Sequence, residues 1–254
     1  MLALNERGDI NAASIGIYLI LTIILCFIFR NNGIFQSIGL LFVFLFTVVK
    51  LVGSCMTVYV QTTMDMSLYT PAAIIGTVVL SPLMLSICAL LMPNKKTIES
   101  FRSPTALIGP KFIIATRMVI FSALAVGVTG GLKIFTTNTT PEGIQQGQIL
   151  LRTAAGLGIS SWMLIYGAII LFYPERHCMG TAYPIIACMI MPVFTVRLAY
   201  GCAVASTFYT DLTQVFNPLA GNWIVYMVMA FIPEVFISGS LVGIGLVNCI
   251  GQKR

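Results

Sequence analysis

The sequence predicts an all-α membrane protein, a single bundle of seven transmembrane helices, and three observations carry that prediction. The 254 residues are 58% hydrophobic and only 9% charged, with a mean hydropathy of +0.96. A soluble domain carries about 25% charged residues, so this chain has too few to coat a water-facing surface. Its apolar residues also fall into seven runs of about 18 or more, the length that crosses a hydrocarbon core. Finally, Lys and Arg gather in alternate connectors, the pattern of a multi-pass protein. These features exclude a soluble enzyme, a nucleic-acid-binding domain and a disordered chain. The net charge of +6 reads as loop anchoring rather than as affinity for nucleic acid.

The first run covers residues 12–29. Before it stand Glu6, Arg7 and Asp9, without the positive n-region and cleavage site of a signal peptide, so this span is expected to stay. The second run, 34–60, follows Arg30. The third, 72–92, leads into the longest connector, which carries Lys95, Lys96, Arg102 and Lys111. The fourth, 112–135, holds Arg117 near one end, where its long side chain can snorkel to the interface. The fifth, sixth and seventh cover 148–173, 182–206 and 223–247. Arg176 follows the fifth, and Lys253 and Arg254 follow the seventh. Short polar connectors leave no room for a second domain, and no internal repeat suggests a transporter built from two halves.

Eight basic residues lie in the connectors on one side, against Arg7 and Lys133 on the other. The expected orientation is therefore N-terminus lumenal or outside and C-terminus cytosolic. The sequon Asn138-Thr139-Thr140 falls on the expected lumenal side, although Pro141 makes it a poor acceptor. Of the seven cysteines, Cys26, Cys55, Cys88, Cys188 and Cys202 lie inside spans. With no C-x-x-C pair and His177 as the one histidine, they read as small hydrophobes rather than as a zinc site or a disulfide scaffold. Gly127-x-x-x-Gly131 and Gly239-x-x-x-Gly243 read as close-packing signals between helices.

Charges inside spans carry the functional reading. An ionised side chain at a helix centre costs about 2.5–3.5 kcal/mol unless paired or hydrated, so each marks a candidate site. At about 1.5 Å rise per residue, Lys50, Arg197 and Glu234 lie roughly 15, 14 and 16 Å inside the lumenal ends of spans two, six and seven. Three helices thus bring charge to one level. Arg152 at the start of span five, Asp65 in the second connector and Asp211 in the sixth stand above them on the same side. Phe194, Arg197 and Tyr200 share a helical face, as do Tyr226, Ala230 and Glu234, with Pro233 placed to kink the last span. Tyr59 and Trp223 suit an aromatic belt. One acid cannot balance two or three cations, which favours a ligand pocket over a pair that only fixes packing.

No phosphate-binding loop, dinucleotide fingerprint, metalloprotease motif or nucleophile elbow is present. No carboxylate cluster could hold magnesium around a prenyl diphosphate, and span seven lacks the lysine a retinal Schiff base requires. No cofactor or metal is expected.

Six stretches carry a resemblance: Val48-Val49-Lys50-Leu51-Val52-Gly53, Leu80-Ser81-Pro82-Leu83, Leu151-Arg152-Thr153-Ala154, Val196-Arg197-Leu198-Ala199-Tyr200, Phe216-Asn217-Pro218 and Ile232-Pro233-Glu234. In order and spacing they resemble a fungal family of uncharacterised seven-span membrane proteins of about this length. At Lys50 that family more often has arginine, whose fork would hold an anion differently. By size and architecture the chain is also similar to small membrane-bound terpene cyclases of fungal meroterpenoid pathways.

That second resemblance implies an isomerase or lyase without metal, acting on an apolar prenylated substrate in the endoplasmic reticulum membrane. Glu234 would donate or assist the initiating proton, with Asp65 and Asp211 as alternatives. Tyr200, Phe194 and Tyr226 would stabilise cations through their ring faces, and Arg197, Lys50 and Arg152 would orient the polar head. Two nearby cations oppose this by favouring carboxylate over acid at Glu234, whereas burial does the reverse. The alternatives are a transporter or lipid-handling protein with a net-positive lumenal pocket, and a small-ligand receptor. The short connectors leave little surface for a signalling partner; membrane lipid is an expected partner, nucleic acid is not, and the sequence identifies no protein partner.

Overall fold

The computed structural model describes residues 6–32, 38–63, 69–91, 105–135, 140–171, 185–207, 215–216 and 221–251. They form helices and short connections, with no strand among the described residues. Helix α1 spans Glu6–Asn32, α2 Ile38–Thr63, α3 Tyr69–Val78, α4 Leu80–Leu90, α5 Thr105–Phe135 and α6 Pro141–Leu171. A π-turn over Ile186–Ile190 leads into α7, Met191–Ser206. The short α8, Trp223–Tyr226, runs through a second π-turn, Met227–Phe231, into α9, Ile232–Gly251.

Six stretches are long and apolar enough to cross a membrane: Glu6–Asn31, Ile38–Thr63, Lys111–Ile134, Pro141–Leu171, Ile186–Ser206 and Trp223–Val247. A shorter apolar helix covers Ile74–Leu90. The set is compatible with a multi-pass integral membrane protein. Leu25, Val43, Phe46, Leu83, Ile87, Phe194 and Leu241 close a common core, while Ile20, Ile23, Phe27, Met163 and Ile170 stand on the outer surface. Helices apolar on both the inner and the outer face fit such a protein.

The third predicted span is helical over the described residues 69–91, with one local lapse in its hydrogen bonding. Pro82 has no N–H to offer the carbonyl of Val78, and its ring crowds that turn. The lapse falls at Val79, which keeps right-handed helical angles (φ −57°, ψ −24°) between α3 and α4. Helix α6 starts further upstream than expected because Thr140 caps it. The Thr140 hydroxyl accepts the Gly143 N–H at 3.2 Å, and Pro141 occupies the first helical position, where its missing N–H costs nothing. Asn138 and Thr139 of the sequon lie outside the described residues.

Of the two glycine pairs expected to pack closely, the first does: a Cβ on Gly131 would stand 3.1 Å from Cγ1 of Ile74 and one on Gly127 3.6 Å from Cβ of Ala154. At the second pair, a Cβ on Gly239 or Gly243 would meet nothing within 4 Å among the described residues, so no helix approaches closely on that side. A backbone-to-backbone approach is made by Gly130 and Gly147 between α5 and α6. A Cβ on Gly147 would stand 2.9 Å from the Gly130 carbonyl oxygen and 2.6 Å from Cγ1 of Ile134. Backbone cannot yield as a side chain can. Gly147→Val is therefore expected to pry α5 from α6 at a cost of about 1–3 kcal/mol, read as a lower Tm in detergent. Gly239→Ala should leave the Tm unchanged.

Candidate functional site

Lys50, Arg197 and Glu234 meet at the centre of the bundle. The Lys50 ammonium stands 2.6 Å from Oε2 of Glu234, and Nε of Arg197 donates to Oε1 at 2.6 Å. The side chains are 12%, 6% and 0% exposed respectively, so the ion cluster is dry on its carboxylate side. Each residue lies near the midpoint of its helix. Lys50 is twelve residues from Ile38 and thirteen from Thr63; Glu234 is eleven from Trp223 and thirteen from Val247; Arg197 is eleven from Ile186 and nine from Ser206. At about 1.5 Å per residue all three sit roughly 14–20 Å from either helix end. Helix α9 packs against α1, α2 and α7, which places Glu234 where two cation-bearing helices converge.

Two local irregularities aim these side chains. Both π-turns end two residues before a proline, Ile190 before Pro192 and Phe231 before Pro233. A proline leaves the carbonyl four residues earlier without its donor and clashes with it; a wider turn just upstream relieves both. The two helices so adjusted are the ones that carry Arg197 and Glu234. Just beyond the second π-turn, the Ser238 hydroxyl donates to the Glu234 backbone carbonyl at 2.8 Å. The sequence reading assigned a kink to Pro233 but missed the turn before Pro192, which the same proline signal would have found.

Aromatic rings line the cluster toward one end of the bundle. The Arg197 guanidinium lies 5.5 Å from the Tyr200 ring centroid, and Tyr200 meets Tyr226 edge-on at 6.3 Å and Phe216 at 6.2 Å. Arg7 stands over the Tyr226 ring at 5.1 Å and interacts electrostatically with Tyr200. Arg7 was read as a connector residue; the structure places it in the first turn of α1, 7% exposed. Tyr18, also on α1, is fully buried, with its ring edge-on to Phe46 at 5.6 Å, and it interacts electrostatically with Glu234 and Arg197. Sequence reasoning missed both residues. Their signal was the inward stripe Arg7, Ser14, Tyr18, Leu25 and Ile28 on one face of α1.

The other predicted site residues are scattered. Phe194 is fully buried in the core one turn before Arg197. Arg152 does not join the cluster: it is exposed on α6 and donates through Nη2 to the Ser206 carbonyl at 3.4 Å. Asp65 and Asp211 lie outside the described residues. Among the described carboxylates, Glu6, Asp9 and Glu142 stand exposed in the first turns of α1 and α6, leaving Glu234 as the one deep acid. No group of three His, Cys, Asp or Glu could hold a metal ion, and Cys26, Cys55, Cys88, Cys188 and Cys202 are free thiols, all among the described residues.

Chemically the cluster is one carboxylate shared by two cations, an arrangement with an excess of one positive charge. Each carboxylate oxygen stands 2.6 Å from a cationic nitrogen, so proton donation from Glu234 would first require a cation to withdraw.

The chain belongs to a family described as a domain of unknown function (DUF7702), which matches residues 4–249. No curated protein and no solved structure matches it.

Proposed function

We propose that this DUF7702 family member crosses the membrane seven times and binds a singly charged anionic amphiphile at the Lys50–Glu234–Arg197 cluster, as a transporter or lipid-handling protein. The carrying observation is the cluster itself: two cations on one buried carboxylate, midway along three helices. A charge that costs several kcal/mol in hydrocarbon is paired as far as one acid allows, and the surplus calls for one more anion. In this reading the Ile74–Leu90 helix supplies the seventh crossing and the N-terminus is lumenal. An epitope after Arg254 should then be digested by protease added to sealed endoplasmic reticulum microsomes; protection of that epitope overturns the orientation.

The binding test uses purified protein in nanodiscs. Hexadecyl sulfonate and palmitate should raise the Tm, whereas methyl palmitate and hexadecyltrimethylammonium should not. Stabilisation by the neutral or cationic amphiphile alone would overturn the reading.

A terpene cyclase is a second reading, favoured by one observation: the Tyr200 and Tyr226 faces already hold guanidinium cations, as they would hold a carbocation. It meets the difficulty that Glu234 is locked between two cations. Mass spectrometry of microsomes fed prenylated phenols and their epoxides tests it. An isomeric product lost in Glu234→Gln would support the cyclase over the binding protein.

A further inference from the structure

The Tyr18 hydroxyl differs from the two hydroxyls that flank it on its helix face. Ser14 is hydrogen-bonded to Ser54 at 2.6 Å and to the Asn11 carbonyl; Thr22 donates to Thr47 at 3.1 Å and to the Tyr18 carbonyl. Tyr18 lies on α1 between those two bonds and Lys50 lies on α2 between them, so the pair share a level. Yet the Tyr18 hydroxyl is buried and makes no hydrogen bond among the described residues. A phenol so placed is destabilising unless something accepts its proton. Arg197 commits Nε to Glu234, and the guanidinium still has its two terminal Nη groups to offer.

We propose that the Tyr18 hydroxyl, the Lys50 ammonium and the Arg197 Nη groups form the seat for a ligand's carboxylate, and that the ligand is a long-chain monocarboxylate. This rests on the anion-binding reading above and narrows it. Three points select the headgroup. The surplus charge is one, which a carboxylate neutralises and a phosphate monoester overshoots. Glu234 already displays a carboxylate bridging these same two cations at 2.6 Å. A single phenolic donor suits a small planar acceptor. An apolar tail suits a ligand at this depth, because the seat lies midway along apolar helices of membrane length and beside the buried rings of Phe46 and Phe194.

The test measures tritiated palmitate binding to the full-length protein in nanodiscs. Competition should be strong with palmitate, weak with hexanoate and absent with methyl palmitate. Tyr18→Phe should weaken palmitate binding roughly tenfold, the scale of one hydrogen bond to a charged group. The same substitution should raise the Tm of the ligand-free protein, because it deletes an unsatisfied hydroxyl. Ser14→Ala is the control for the same helix seam and should lower the Tm without changing affinity. Unchanged palmitate affinity in Tyr18→Phe overturns the seat. Binding of hexadecyl sulfonate but not palmitate overturns the carboxylate while leaving the anion-binding reading standing. Equal competition by hexanoate overturns the long chain. Binding of neither anion overturns both proposals.

Discussion

Glu234→Gln is expected to be the most damaging single substitution in the protein. It keeps the size and one acceptor of the side chain but removes the charge that Lys50 and Arg197 share. Two like cations would then face each other in a site where Glu234 was fully buried. Breaking a buried pair from one side costs about 3–5 kcal/mol, because the stranded charge keeps its desolvation penalty and loses its compensation. Here two charges are stranded, so the upper end of that range applies. The measurement is the unfolding midpoint in denaturant or heat, alongside yield in the membrane fraction. The double variant Lys50→Met, Glu234→Gln is the decisive companion: it removes one of the stranded cations and should recover more than half of the loss. A Glu234→Gln protein as stable as the wild type would show that the carboxylate does not hold the cluster together.

The contrast between what the sequence disclosed and what it hid follows from how each is encoded. Hydropathy is local, so six of the seven runs correspond to long apolar helices, their ends displaced by caps such as Thr140. Depth is also local. Counting residues from span ends placed Lys50, Arg197 and Glu234 at one level, and the structure joins them at 2.6 Å. Azimuth is not local. Arg152 had the right charge near the right height, yet α6 turns it outward to the Ser206 carbonyl. Arg7 looked like a solvated loop charge and instead sits on Tyr226. Gly239 and Gly243 have close-packing spacing, yet a Cβ on either would meet nothing within 4 Å among the described residues, while Gly130 and Gly147, which share no motif, bring two backbones together. Motif spacing fixes which residues share a face, whereas the partner of that face depends on helices far away in sequence.

Lys50→Met should separate stability from binding. With Lys50 gone, Arg197 still donates to Oε1 of Glu234, and the remaining pair is neutral. The steep cost of breaking a buried pair comes from the charge left stranded, and here the Arg197–Glu234 pair that remains is balanced, so the midpoint should move by less than about 1 kcal/mol. Lys50 is also the cation with the greater residual exposure, 12% against 6% for Arg197, and is the easier of the two to do without. Binding should behave oppositely. The surplus charge disappears, and an incoming anion would meet a site already balanced. Loss of a close charge partner is worth about 2 kcal/mol or more, so the affinity for palmitate or hexadecyl sulfonate should fall at least thirtyfold. Lys50→Arg keeps the charge and should retain most of the affinity. The two charge-removing substitutions therefore make a pair with opposite signatures: Glu234→Gln unfolds a protein whose site has become more positive, and Lys50→Met preserves a protein whose site has become neutral. A purely structural ion cluster predicts something else, since it would make both substitutions costly to stability and neither specific for anions. If Lys50→Met lowers the midpoint as far as Glu234→Gln does, the cluster is a packing device and the ligand must be sought elsewhere in the bundle.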